Sequence, residues 1–273
     1  MRHGDPVKWN PGDYASNSTV QLAWALDLIG RLQLRGDEAV LDVGCGDGKV
    51  TAEIALAAPR GYVLGVDSSP EAVAYARANH PTSRFPNLEY CVMDARRLVA
   101  DRAFDVVFSN ATLHWVDDHP AFLAGCARLL EPGGRLAMSS GGTGNAEEVV
   151  AVIERLIAAP VWRPHFAGFR FPYFFHSTDD YRRWLPEAGL TATRLALVER
   201  DMTHHGTAGM AGWIRTTWMP YTLRVPEAQR QAFVEEVVGT YFREHPVDAA
   251  GRAHVRMMRL EVEAVKLLPG ARP

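Results

Sequence analysis

The sequence predicts an α/β fold built on a mostly parallel sheet, and three observations predict it. Apolar runs of strand type alternate with helical patterns through residues 40–138 at the spacing of βαβ units. The first strand runs straight into a glycine turn, Gly44-Cys45-Gly46-Asp47-Gly48. Polar side chains stand at the ends of several strands, where parallel sheets of this kind bind their ligands.

The first strand is Val40 to Val43, and the helical pattern after the turn is Val50, Ile54, Ala55 and Ala58. Gly61 to Val66 reads as a second strand that ends at Asp67, nineteen residues beyond Gly48. Ser68-x-x-Glu71 then reads as a capping box, with Pro70 in the first helical turn. A third strand, Leu88 to Met93, ends at Asp94-Ala95. A fourth, Phe104 to Phe108, ends at Ser109-Asn110 and is followed by Leu113-His114-Trp115. Phe122, Leu123, Cys126, Leu129 and Leu130 give the next helix, stopped by Pro132-Gly133-Gly134, and Arg135 to Met138 form a fifth strand.

The second half departs from simple alternation. A glycine-rich loop, 139–144, leads to a helix near 146–158. Residues 159–180 are aromatic and basic, and Pro160, Pro164 and Pro172 argue against a long helix there. A helix at 179–188, a strand at 191–198 and helices near 208–218 and 227–244 follow. The last strand alternates, with Met258, Leu260, Val262 and Ala264 on one face and Arg259, Glu261 and Glu263 on the other. A single domain over 1–273 is expected: an N-terminal lid at 1–21, a core at 22–145 plus 185–206 and 252–267, and cap segments at 146–184 and 207–251.

Composition narrows the function. The chain has 273 residues, 47% of them hydrophobic, which is ample for a core. A net charge of −3 argues against a nucleic-acid partner. Cys45, Cys91 and Cys126 are far apart and match neither a disulfide framework nor a zinc motif, which points to a reduced, cytoplasmic setting. No metal is expected, because His204 and His205 are adjacent and would point to opposite faces of a strand. Glu154-Arg155 interrupts the longest apolar stretch, so no membrane span is expected, and Met-Arg-His-Gly-Asp-Pro lacks an apolar signal core.

The spacing of the turn selects its ligand. A dinucleotide fold wants G-x-G-x-x-G, but here the third glycine position is Lys49. A nicotinamide dehydrogenase is disfavoured on that ground. An amino-acid headgroup fits as well as a diphosphate, with its carboxylate at the unpaired N–H groups of the helix start and its ammonium near a turn carbonyl. Asp67 is placed to accept hydrogen bonds from two ribose hydroxyls. Asp94, beside a backbone N–H, suits the amine and ring edge of an adenine.

These pieces, Asp42 to Gly48, Gly65-Val-Asp67, Met93-Asp94-Ala95, Phe104 to Asn110 and Leu129 to Arg135, resemble a class I S-adenosylmethionine-dependent methyltransferase. Within that class the chain is most similar to the trans-aconitate and juvenile-hormone-acid methyltransferase type, through Trp9-Asn-Pro-x-x-Tyr14, Ser18, Gln21, Leu113-His-Trp-Val116, Trp213-Ile and Trp218-x-x-Tyr221. The resemblance implies a Rossmann-like sheet with an antiparallel last strand and a helical cap. It implies that Gly44, Cys45, Gly46 and Gly48 surround the methionine part of S-adenosylmethionine and that Asp42 supports the turn. Asp67 and Ser68 would hold the ribose, Met93, Asp94 and Ala95 would frame the adenine, and Asn110 would lie under the methionyl chain. Tyr14, Ser18 and Gln21 would belong to a segment closing over the cofactor, with His114 and Trp115 facing the methyl and the substrate.

The expected activity is methyl transfer to a small molecule, on the oxygen of a carboxylic acid. No clustered acid/base pair is evident, and a carboxylate needs none. Arg170, Arg215 and His204 are candidates to bind that carboxylate. Two alternatives stand beside it: a C- or N-methyltransferase with His114 as base, and a non-catalytic S-adenosylmethionine-binding module.

Overall fold

The computed structural model describes residues 19–268 and Gly270. The elements run α1 (Thr19–Leu32), β1 (Ala39–Val43), α2 (Lys49–Ala57), β2 (Tyr62–Asp67), α3 (Pro70–Asn79), β3 (Leu88–Val92), β4 (Phe104–Asn110), α4 (His119–Leu129) and β5 (Leu130–Gly141). They continue with α5 (Glu147–Ala158), α6 (Thr178–Glu187), β6 (Leu190–His205), α7 (Gly206–Thr217), α8 (Met219–Thr222), α9 (Glu227–Glu244) and β7 (Arg252–Lys266).

The sheet has seven strands in the order β3-β2-β1-β4-β5-β7-β6. The pairs from β3 through β5 are parallel, and β7 runs antiparallel to β5, with Gly141 opposite Arg259. The predicted class and the antiparallel last strand are therefore both present. Chain order reverses between β1 and β4, and open sheets of this kind bind ligands outside the carboxyl ends of the strands at such a switch point. Gly44, Asp67 and Asn110 stand there, at or just beyond the ends of β1, β2 and β4.

Several boundaries differ from the sequence reading. The N-cap of α3 is Ser69, not Ser68: the Ser69 hydroxyl accepts the Ala72 N–H at 3.1 Å, and Pro70 opens the helix. Pro132-Gly133-Gly134 ends the preceding helix yet lies inside β5, accommodated by a register shift against β4. β6 continues to His205 rather than stopping near Val198.

The chain divides into two compact units. Among the described residues the larger comprises 19–143, 173–198, 259–268 and Gly270. It has three layers. On one face of the sheet Phe122, Leu123 and Cys126 of α4 and Tyr181 and Leu185 of α6 pack on Val107, Leu136, Leu260 and Val262. On the other, Leu28 of α1, Ile54 of α2 and Val73 of α3 pack on Val40, Val63, Val106 and Phe108. Tyr173 to Trp184, read from the sequence as cap, belong to this unit.

β7 carries the largest departure. Arg259 and Glu261, taken as its polar face, are each only 3% exposed. Glu261 is held by Arg31 of α1 at 3.1 Å and by Arg194 of β6 at 2.9 Å. Alternation along the strand is real, but α1 covers the charged face.

The smaller unit includes Gly144–Pro172 and Glu199–Met258. α5 buries Val149, Val152, Ile153 and Leu156, the spacing of one helical stripe. Trp162 packs edge-on to Phe233 at 5.0 Å, and Phe169 meets Tyr221 at 4.7 Å. The Tyr221 hydroxyl donates to Glu154 and the Trp162 indole N–H to Glu236. Among the described residues, no helix is long and apolar enough to cross a membrane.

Candidate functional site

The site is assembled on the larger unit, at the carboxyl ends of β1, β2 and β4. Gly44, Gly46 and Gly48 all adopt positive φ, at 82°, 55° and 81°, a region closed to most side chains. Two of them make room for the protein itself. A Cβ on Gly44 would lie 2.1 Å from Thr112, and one on Gly48 would lie 2.6 Å from the Tyr90 hydroxyl oxygen.

The turn also consumes its own donors. The N–H groups of Gly44 and Cys45 bond Val66 O at 2.7 and 3.0 Å, and Gly48 N–H bonds Cys45 O at 2.9 Å. Gly46 N–H donates to Asp67 Oδ2 at 3.0 Å and Lys49 N–H to Asp47 Oδ1 at 3.1 Å. Five N–H groups of the turn and the helix start, those of Gly44, Cys45, Gly46, Gly48 and Lys49, are thus used within the fold.

Asp67 bridges the turn to the next helix, since its Oδ1 accepts Ser69 N–H at 2.9 Å. Burial pushes its pKa up, against the backbone N–H groups of Ser69, Gly46 and Ser68. A carboxylate has about four acceptor positions, so further donors can still bind. Asp42 is more deeply enclosed, and its Oδ2 accepts the Thr51 hydroxyl at 2.7 Å. Burial, joined by the nearby Asp67 charge and opposed by Thr51, lifts its pKa to about 7. Cys45 is buried beside them, and burial raises its thiol pKa.

At the β3 end, Met93 N–H bonds Asp67 O at 2.9 Å, and Ala95 is buried. Asp94 caps the short turn Ala95–Arg97 by accepting Arg96 N–H at 2.9 Å. The Arg96 guanidinium closes back on both carboxylate oxygens, reaching 2.6 Å, and also pairs with Asp117 at 2.9 Å. These bonds from Arg96 hold the Asp94 pKa down. Ser68 is exposed.

Beyond β4, Ala111 takes a φ of 55° and turns the chain into the short helix Leu113–Trp115. His114 is fixed there from both ends. Its N–H donates to Ser140 Oγ at 2.9 Å, and its carbonyl accepts Phe174 N–H at 2.9 Å. Its Nδ1 lies 3.1 Å from Ser140 Oγ and accepts Gly141 N–H at 3.4 Å. A backbone N–H only donates, so Nδ1 is an acceptor and the ring proton is assigned to Nε2. Burial, then the Arg259 charge and then His119, lower its pKa to about 3. His114 is a neutral ring whose Nε2–H is a donor. Trp115, Tyr173 and Phe175 surround it at ring distances of 5.7, 6.1 and 6.1 Å.

Four residues of this arrangement escaped the sequence reading: Thr112, His119, Ser140 and Arg259. His119 Nε2 donates to Leu113 O at 2.8 Å and its Nδ1 accepts the Tyr181 hydroxyl at 2.6 Å, buttressing the turn that carries His114. Burial and then His176 bring its pKa to about 4. Its place next to Asp118 reads as a helix start, and nothing local marks it as buried. Ser139-Ser140, two hydroxyls at the end of an apolar strand, were a signal that passed unread. Arg259 donates to Ser139 O at 2.9 Å, to Ser139 Oγ at 3.0 Å and to Asn110 Oδ1 at 3.3 Å, and lies 5.2 Å from the Trp24 ring.

Tyr14 and Ser18 lie outside the described residues, as does the side chain of Gln21, whose backbone belongs to α1. In the smaller unit Arg170 and Arg215 are exposed, while the His204 ring lies against Trp213 at 5.0 Å, tilted by 30°.

Comparison with known proteins gives a consistent picture. Residues 41–138 match the family described as "Methyltransferase domain". An uncharacterized methyltransferase of Schizosaccharomyces pombe is 35% identical over 185 residues, covering 66% of this chain and 70% of that protein. A trans-aconitate 2-methyltransferase of Methylobacterium radiotolerans is 30% identical, over 94% of this chain and 98% of its own length. The crystal structure of the BH2331 protein from Bacillus halodurans superposes with a TM-score of 0.61 at 18% identity, over 90% of this chain and 99% of that one.

Proposed function

The chain belongs to the class I S-adenosylmethionine-dependent methyltransferases, and from that premise we propose that its acceptor is a small carboxylic acid, methylated on oxygen. The single observation that carries this reading is the state of His114. A general base must accept a proton, yet Nδ1 already accepts from Gly141 and Ser140, and Nε2 bears the proton. A phenol or carbon acid, and usually an amine, needs a base at this step, whereas a carboxylate is already ionised at pH 7 and presents an acceptor oxygen. His114 Nε2–H is the complement of such an oxygen.

The residues at the strand ends fit the cofactor. Asp67 retains acceptor positions for the ribose hydroxyls. Met93, Asp94 and Ala95 would frame the adenine, with the Asp94 carboxylate competing for its bonds with Arg96. Gly44, Cys45, Gly46 and Asn110 would flank the methionine part, and Asp42 would favour its ammonium. When bound, S-adenosylmethionine supplies a sulfonium methyl already activated for displacement. The chain's part is then to position the acceptor within about 3–3.5 Å of that carbon and exclude water. Trp115, Tyr173 and Phe175 offer aromatic faces beside His114, which tolerate a cation and shed water. Tyr14, Ser18 and Gln21 would close the site from the N-terminal side. The route needs no metal, and its partners are small molecules.

The resemblance to trans-aconitate 2-methyltransferases supports a carboxylate acceptor. Methyl-labelled cofactor incubated with a panel of small acids, phenols and amines tests the reading. A label that enters an acid and is released as methanol in mild alkali is expected, since methyl esters are base-labile. A label that enters only phenols, amines or carbon, and survives alkali, contradicts it.

A further inference from the structure

Asp94 stands just beyond β3, one residue past Met93, whose N–H bonds Asp67 O at 2.9 Å. That tie sets it beside the acid read as the ribose acceptor, where the nucleobase is expected. Its carboxylate is heavily drawn on by Arg96. The backbone N–H of Arg96 reaches Oδ1 at 2.9 Å, Nε reaches Oδ1 at 3.0 Å and Oδ2 at 3.1 Å, and Nη2 reaches Oδ2 at 2.6 Å. A carboxylate has about four acceptor positions, so these donors occupy most of them. The same guanidinium has a second acid at its other edge: Nη1 donates to Asp117 Oδ1 at 2.9 Å.

We propose that Arg96 sets the strength of adenine recognition: it competes with the exocyclic amine of the cofactor for Asp94, and Asp117 is the acid that draws it away. The proposal rests on the S-adenosylmethionine reading and adds to it two residues, Arg96 and Asp117, that have no place among the cofactor-binding set. The amine is a neutral donor and the guanidinium a charged fork, so for the same lone pairs the fork is the stronger partner. A guanidinium is also a planar array of five N–H donors, and it can keep Asp117 at one edge while giving up Asp94 at the other. The exchange costs little. The side chains of Asp94, Arg96 and Asp117 are 36%, 46% and 54% exposed, and ion pairs this open to water contribute little to stability. The backbone N–H of Arg96 stays on Oδ1 throughout, because it belongs to the cap of the short turn Ala95–Arg97. The carboxylate therefore keeps its orientation when the guanidinium leaves. Adenine presents a donor at its 6-position, and a 6-keto purine presents an acceptor there. An Asp94 released from the guanidinium favours the first and repels the second, and Arg96 seated on Asp94 blunts that contrast.

Calorimetry with S-adenosylhomocysteine and its 6-keto counterpart, S-inosylhomocysteine, tests the role, because two substitutions should act in opposite directions. Arg96→Ala, which keeps the backbone donor, should tighten S-adenosylhomocysteine by roughly two- to fivefold and leave S-inosylhomocysteine unchanged or weaker. Asp117→Asn, which removes the competing charge, should weaken S-adenosylhomocysteine by about twofold or more. In the double variant the Asp117 effect should vanish, because the side chain it acts on is gone. Should one variant not fold, the other decides alone by the sign of its effect. Unchanged or weaker S-adenosylhomocysteine binding in Arg96→Ala, equal tightening of both ligands, unchanged or tighter binding in Asp117→Asn, or an Asp117 effect that persists without Arg96 overturns the proposal and leaves the cofactor reading standing. Wild-type protein that binds neither ligand overturns the cofactor reading and the proposal with it.

Discussion

The Asp67 carboxylate accepts the backbone N–H of Gly46 at 3.0 Å, tying the end of β2 to the glycine turn twenty-one residues earlier. One side chain thereby shapes the turn and offers its remaining lone pairs to a ligand. Asp67→Asn keeps an acceptor oxygen and loses the charge. It should weaken S-adenosylhomocysteine by about 1.5–3 kcal/mol, roughly ten- to a hundredfold, with thermal stability altered far less. Unchanged affinity by calorimetry would make Asp67 a purely structural clamp.

Gly44 answers to Thr112. With φ at 82° and a hypothetical Cβ 2.1 Å from the threonine side chain, Gly44→Ala should cost about 1–3 kcal/mol for the backbone alone, plus the overlap. Adding Thr112→Gly should return the overlap and leave the backbone cost. Equal urea midpoints for the single and double variants would show that Thr112 is not what excludes the methyl group.

His114 as donor has a kinetic consequence. A lost general base costs about 10²–10⁴ in rate. His114→Gln, which retains an N–H donor, should therefore keep much more activity toward an acid than His114→Ala. Between pH 5 and 8 the wild-type kcat should carry no inflection from this ring, because its pKa is pulled down to about 3. An inflection near 6.5 that vanishes in the glutamine variant would contradict this.

Stability should respond to acid through His119. It is neutral in the folded state, with a pKa brought to about 4, whereas the unfolded ring titrates near 6.5. Its contribution is complete above about pH 6.5 and is lost as pH falls toward 4, about 2 kcal/mol by pH 5. Asp42 acts in the opposite sense, since its folded pKa of about 7 lies above the unfolded carboxylate value, so its penalty grows as pH rises from about 4 to 7. Urea midpoints at pH 5 and 7.5 should show a smaller acid loss in His119→Gln than in wild type, and a larger one in Asp42→Asn. Parallel slopes for all three proteins would refute the assignment of these groups.

The sheet was legible because its strands are apolar runs bounded by glycine and acid, and Asp67 and His114 were legible because they terminate such runs. What stayed hidden depends on contacts far apart in sequence. The N–H groups of Gly44, Cys45 and Gly46 looked available to a ligand, but Val66 O and Asp67 take them up. Arg259 read as part of the polar face of an alternating strand, yet it is buried, bonded to Ser139 and Asn110 and set against Trp24 of α1. Ser68 has the capping-box spacing to Glu71, but with Pro70 at the first helical position Ser69 is the cap. The aromatic stretch after Pro160 read as one cluster, yet Trp162, Phe166 and Phe169 pack with Phe233 and Tyr221, while Tyr173 and Phe175 flank His114.

The tautomer of His114 can be read directly by nitrogen-15 NMR of histidine-labelled protein, with the signal assigned by its absence in His114→Gln. A ring protonated on Nε2 alone, unchanged from pH 5 to 8, is the predicted result. A proton on Nδ1, or titration of the ring near pH 6.5, would contradict a site built to present a donor to a carboxylate.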